Sequence, residues 1–253
     1  MTVEGFAVPE TDGGSVAVAA EHRLARAAAW ALGLNAVVGV AAIGSSLLRI
    51  ALLDRVLAGD VVSMGAAARD EWREAAVGLA AVGAWLVCAV VFLLWLHRAY
   101  RAAGALRVSG MRSTPRGAVV SFFIPVVNLF RPYQAVRELH DGLDPAALPA
   151  PEPRPRPDGA EHYRASAATL PLTPVALPAA PVGAWWACWV ASNMVSCVGL
   201  RVVGGADALA LRAQSWASIA GDAFALAAAV LGVLVVRAVD ARVRERHRRV
   251  AAG

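Results

Sequence analysis

Ala75-Ala-Val-Gly-Leu-Ala-Ala-Val-Gly-Ala-Trp-Leu-Val-Cys-Ala-Val-Val-Phe-Leu-Leu-Trp-Leu96 runs without a single charge. As a helix rising ~1.5 Å per residue it would cover roughly 33 Å, enough for the ~30 Å hydrocarbon core of a bilayer. Glu74 precedes the run, and His97 and Arg98 close it. Windows at about 27–48, 183–203 and 215–236 have the same character, although Arg201 near the end of the third must reach outward to the interface.

The composition agrees with these windows. The chain has 253 residues, 58% of them hydrophobic and only 17% charged, where a soluble domain carries about 25% charge. Four such runs buried in a soluble protein would need a far larger polar shell, so an ordinary soluble enzyme is excluded. The expected fold class is an all-α membrane protein with four transmembrane helices.

All 24 basic residues are arginine, and 57 residues are alanine. The alanine excess weakens any motif built from small residues. Ala217, Gly221, Ala225 and Ala229, and Ala80, Ala84 and Cys88, are therefore read only as helix-packing faces. Arginine placement predicts orientation. Eighteen of the arginines fall before the first span, between the second and third, and after the fourth, and six fall in the two other connections. Both termini and the long middle segment are expected in the cytoplasm of a cell-membrane protein. The net charge of +5 then reads as topology and attraction to anionic lipids. Nucleic acid is not an expected partner, since the arginines lack interleaved aromatics.

The predicted organisation is a disordered cytoplasmic tail at 1–22, a membrane domain at 23–240 and a basic tail at 241–253. Met1–Glu21 carries Glu4, Glu10 and Asp12 and no cleavable-signal pattern, so the first span would serve for insertion. Inside the membrane domain, 142–182 is a proline-rich cytoplasmic loop, with ten of the fourteen prolines between Pro145 and Pro181. It reads as a solvated linker, with a proline-rich partner ligand as the sharper alternative.

The segment 116–141 is a fifth element. Gly117–Phe130 is apolar but short for a span and interrupted by Pro125. If it crossed, the basic tail would lie outside, so it is expected on or partly within the cytoplasmic leaflet as an interfacial or re-entrant helix. Pro132 suits the first turn of a helix that continues to His140.

Several stretches resemble one family. Phe92-Leu-Leu-Trp95-Leu-His-Arg98-Ala-Tyr-Arg101 ends the second span, followed by Pro115 and by Phe122-Phe-Ile-Pro125-Val-Val-Asn128-Leu-Phe-Arg131-Pro132-Tyr133, with Glu138 beyond. Trp185-Trp186-Ala-Cys-Trp189 opens the third span, with Ser192-Asn193 inside it. Over about residues 75–240 this pattern resembles the bacterial integral membrane family called domain of unknown function 4328. The family pattern often places an asparagine after the arginine pair, where this chain has Ala102 and Ala103. The resemblance implies fold and location, and no activity.

The residues suggest little chemistry. Cys88, Cys188 and Cys197 lie in spans without metal-ligand spacing. His22, His97, His140, His162 and His247 form no zinc motif, and there is no GxSxG elbow and no lysine for a phosphate-binding loop. Ser45, Ser46, Ser192, Ser196 and Ser218 lack a histidine at membrane depth. No catalytic, cofactor or metal site is expected, and the chain is read as a non-enzyme.

Two groups remain. Asp222 is the one acid well inside a span, either a proton or cation relay with Asn35 and Asn193 as companions, or a residue near the headgroups or on a shorter fourth span that starts later. Arg98, Arg101, Pro125, Asn128, Arg131, Tyr133, Glu138, Trp185 and Trp186 gather at the cytoplasmic interface, either as membrane anchors or as a pocket for an anionic headgroup or a partner peptide. The leading expectation is a scaffold or accessory subunit that binds lipid or a protein partner through that face; the expected partners are the bilayer, anionic lipids and either a protein partner or a homo-oligomer. The alternative is a small oligomeric transporter or channel that uses Asp222.

Overall fold

The computed structural model describes residues 12–108, 110–144, 180–202 and 207–252, with α5 side chains described as far as residue 197. The expected proline-rich loop falls largely on 145–179, outside the described residues, as do 1–11 of the expected tail. The described residues form helices and turns and no strand. The elements are α1 (Asp12–Leu57), α2 (Met64–Ala105), the short α3 (Pro115–Val120), a 3-10 turn η1 (Val127–Leu129), α4 (Arg131–Gly142), α5 (Val182–Val202) and α6 (Ala208–Ala252).

Among the described residues, three helices, α1, α2 and α6, are long and apolar enough to cross a membrane. The expected span at 183–203 falls on α5. The helices run well past the expected spans. Residues 12–22, read from sequence as a disordered tail, continue α1, and 241–252, read as a basic tail, continue α6. Turns, rather than charges, end these helices. After α1, Gly59 takes φ +87 while Asp60 N–H and Gly59 N–H bond back to the Arg55 and Val56 carbonyls at 3.0 and 3.1 Å. This is the left-handed stop for which glycine is suited. Ser63 then caps α2, its hydroxyl accepting from Ala66 N–H at 3.3 Å.

α1 packs along both α2 and α6, and α5 packs along α6, with Trp185 of α5 also reaching Phe92 of α2 at 5.6 Å between ring centroids. Each neighbouring pair is antiparallel. Glu21 meets Trp95 while Ser45 meets Glu74, and His22 meets Asp240 while Arg212 meets Asp54. The bundle thus has a hairpin end, at the α1–α2 turn, and a basic end, where α3, η1 and α4 sit.

Burial differs sharply between the two ends. Trp30, Leu34 and Val37 on α1, Leu79, Val82 and Leu86 on α2, and Val230 and Leu234 on α6 all stand exposed. Bands of this size on several helices are suited to apolar surroundings rather than to water. The fully buried core is concentrated at the basic end, where Trp95, Leu96, Val136, Leu139, Val235, Val236, Val239 and Val243 pack together.

Candidate functional site

Toward the hairpin end, four helices leave a cavity of about 270 Å³. Its walls are small residues at one level of the bundle: Ala42 on α1, Gly78 and Ala81 on α2, and Ala217 on α6. A Cβ added at Gly78 would meet nothing within 4 Å. Gly221 does the opposite, letting α5 approach so closely that an added Cβ would lie 3.2 Å from Ser196 Oγ. Small side chains therefore both hold α5 against α6 and leave the space beside that contact unfilled.

The lining is half polar. Asp222, Glu74, Ser46, Ser196, Gln214 and Ser218 all face the cavity. Glu74 is neutralised at the rim, where Arg49 lies 3.6 Å and Arg73 3.8 Å from its carboxylate and Ser45 Oγ–H donates to it. Asp70 pairs with the same two arginines, and Arg73 also donates to Ser45 Oγ at 3.0 Å and to the Ser45 carbonyl at 3.2 Å. Two arginines thus balance two carboxylates at the rim. Asp222 has no hydrogen bond or ion pair among the described residues.

The companions expected for Asp222 are elsewhere. Asn193 Nδ2–H donates to the Trp189 carbonyl of its own helix at 2.7 Å and is exposed. Asn35 is half-buried on α1 and does not line the cavity. The structure instead surrounds Asp222 with hydroxyls, an amide and Glu74, because side chains that share a level on four helices are far apart in sequence.

The basic end holds the other expected group. Arg98, Arg101 and Arg131 are exposed. Glu138 accepts from Arg112 N–H, from Ser113 N–H at 3.2 Å and from Ser113 Oγ–H at 3.0 Å. This ties the start of α3 to α4, so the apolar segment between them leaves and returns at the same end of the bundle. Its tip is a tight γ-turn, with Val127 N–H bonding to the Pro125 carbonyl at 2.8 Å across Val126 at φ +67. That conformation is rare and strained, most of all for a β-branched residue.

Aromatic side chains hold the segment's inner face. Phe122 stacks edge-on against Phe92 and Trp186, Trp186 lies flat on Trp189 at 4.6 Å, and Trp186 Nε1–H donates to the Leu129 carbonyl at 3.0 Å. Trp185 and Trp186 are thus buried anchors. Tyr133 accepts from Arg137 at 3.0 Å, and that bond, together with Asp141, raises the already high Arg137 pKa. Asn128 Oδ1 is buried and has no hydrogen-bond partner.

Sequence reasoning missed a second network here. Glu21, placed in the tail, is fully buried and accepts from Trp95 Nε1–H at 2.9 Å. Beside it Asp240 pairs with His22 at 2.8 Å and Arg244 at 3.0 Å. Arg242 donates to the His140 carbonyl at 2.8 Å, and Arg246 donates to the carbonyls of Leu106 and Gly142 at 3.3 and 3.2 Å. These are the carbonyls that the ends of α2 and α4 leave unpaired. The one available signal was the spacing of Val235, Val239 and Val243 with Arg242 and Arg246, a buried helical face written through the basic run.

Three helices long and apolar enough to cross a membrane, with a polar cleft between helices, fit a helical membrane protein. Residues 58–241 match the family described as Domain of unknown function (DUF4328), and the chain belongs to that family. The match begins in the turn after α1, so Glu74, Asp222, Glu138 and the Phe122–Tyr133 segment lie within it and Ser45 and Ser46 do not. No curated protein and no solved structure matches the chain.

Proposed function

We propose that the chain is a four-span, multi-pass protein of the cell membrane, with both termini in the cytoplasm, that performs no chemistry itself. It acts as a scaffold or accessory subunit whose cytoplasmic face holds anionic lipid or a protein partner. α5 supplies the fourth span, packed along α6. The eighteen-to-six division of arginines supports the orientation.

One observation carries the reading of the cytoplasmic face. Phe123, Val126 and Phe130 are 70%, 72% and 61% exposed at the tip of the Pro125 excursion, and exposed Arg116 and Arg131 bracket it. Each apolar side chain moved from water into lipid contributes about 1.5–3 kcal/mol, and each arginine at an anionic surface about 1 kcal/mol. An interfacial or re-entrant position in the cytoplasmic leaflet satisfies both sets of groups.

A fluorophore on Phe123→Cys in nanodiscs tests this, with emission expected to be quenched by spin-labelled lipid and protected from iodide. Iodide access would sink the interfacial reading. Arg116→Gln with Arg131→Gln should lower co-purified anionic lipid in native mass spectrometry, and unchanged retention of both lipid and protein partners would sink the docking role. Cysteine at Ser63 should label from outside intact cells and cysteine at Ser166 should not.

The cavity favours a second reading, a small oligomeric transporter or channel. It expects Asp222→Asn to abolish solute or proton flux in proteoliposomes.

A further inference from the structure

We propose that the cavity between α1, α2, α5 and α6 binds a small organic ammonium ion, with the Asp222 carboxylate as its counter-ion. The proposal rests on the second reading above by giving that cavity a ligand, and it is tested by equilibrium binding, so either can fail alone.

Charge balance is the first argument. Arg49 and Arg73 are matched by Asp70 and Glu74 at the rim, which leaves Asp222 as the unmatched charge on the cavity wall among the described residues. An unpaired carboxylate at membrane depth is costly, and a cation beside it removes most of that cost. An anion would meet repulsion from the Asp222 carboxylate.

Shape and lining decide the kind of cation. A bare metal ion needs a close shell of roughly six to eight oxygens, and no three of His, Cys, Asp and Glu converge as such a site among the described residues. The polar groups here are instead spread over helices around about 270 Å³, room for several heavy atoms. An ammonium group has N–H donors to divide between the Asp222 carboxylate and oxygens such as those of Ser218 and Gln214. Ala42, Val77 and Ala81 provide an apolar wall for its carbon chain. The absence of a side chain at Gly78 keeps that wall open.

The test uses the full chain in nanodiscs of phosphatidylcholine and phosphatidylglycerol, titrated calorimetrically with n-propylammonium. Saturable binding is expected, with sodium and n-propanol giving none. Asp222→Asn should weaken binding at least tenfold. Gly78→Leu, which fills the cavity from a position with no neighbour to strike, should abolish binding without lowering the melting temperature. Adding phosphatidylethanolamine separates two sources of the same chemistry: competition would make a lipid headgroup the ammonium donor, and no competition a soluble amine. The proposal is overturned by absence of saturable binding, by equal binding of sodium, or by binding that survives both substitutions.

Discussion

Arg246→Met removes a guanidinium that closes two helix ends at once. Arg246 is 5% exposed, and its Nε and Nη1 donate to the Leu106 and Gly142 carbonyls at 3.3 and 3.2 Å. Hydrogen bonds from charged donors contribute about 1.5–3 kcal/mol each, and at these lengths the lower figure applies, giving about 3 kcal/mol for the pair. Methionine keeps most of the packed stem and ends the desolvation of the guanidinium, which offsets about 1 kcal/mol. The net loss of about 2 kcal/mol corresponds to an opening equilibrium about 30-fold more populated. Amide hydrogen exchange of the full chain in detergent reads this directly. Protection should fall about 30-fold at Leu106, Val108 and Leu143, whose N–H groups bond back into the two helix ends. Arg248→Met is the control, since Arg248 is 73% exposed and its ion pair with Glu245 is worth little. Unchanged protection in Arg246→Met, or an equal loss in the control, would refute the capping role.

Three further outcomes follow from local geometry. Gly232→Val should lower thermal stability by about 1–3 kcal/mol, because its Cβ would lie 3.2 Å from Trp185 Nε1 and 3.3 Å from both Leu32 methyls. Arg107→Gly should raise stability by about 1 kcal/mol, since Arg107 stands at φ +51 in the left-handed stop of α2; an unchanged melting temperature would count against that strain. Glu138→Ala frees the Arg112 and Ser113 N–H groups, so trypsin should cut after Arg112 faster than in the parent, by roughly tenfold for each 1.4 kcal/mol of lost anchoring.

The apolar windows were legible because hydrocarbon-facing helices announce themselves residue by residue; what lay beyond them was not. Charge at Arg23, His97 and Arg237 marked the ends of apolar runs, but the helices continue, because a polar helix can still bury one face. Val239 and Val243 show this on α6, where they are fully buried on a face shared with buried Arg242 and Arg246 while Arg237 and Arg244 stay exposed. The Pro125 break was readable, and so was a helix after Pro132. The γ-turn at Val126 was not, since valine there contradicts the local preference, and the backbone bonds of the turn and the aromatic contacts around Phe122 and Trp186 come from packing. The cavity was hidden for a different reason. Glu74 read as the boundary of a span and Ser45, Ser46 and Ser218 as isolated hydroxyls, because nothing in one helix reveals which level of it faces which level of the next.

The arginines join these two accounts. Counted along the chain they form an asymmetry, and an asymmetry of this kind acts during insertion, before the helices pack. In the packed bundle the same residues separate by burial. Arg98, Arg101, Arg116 and Arg131 remain exposed, whereas Arg242 and Arg246 are spent on the carbonyls of α2 and α4. Only the first set is free to attract anionic lipid. On the proposed reading, neutralising Arg116 and Arg131 should lower retained anionic lipid while leaving the bundle's stability intact, and neutralising Arg242 and Arg246 should do the reverse. Burial takes Glu21, Asp70, Asp240 and Glu245 out of the surface as well as Arg242 and Arg246, so the net charge of +5 does not measure what the surface offers, and the two substitution sets separate the structural arginines from those proposed to bind lipid.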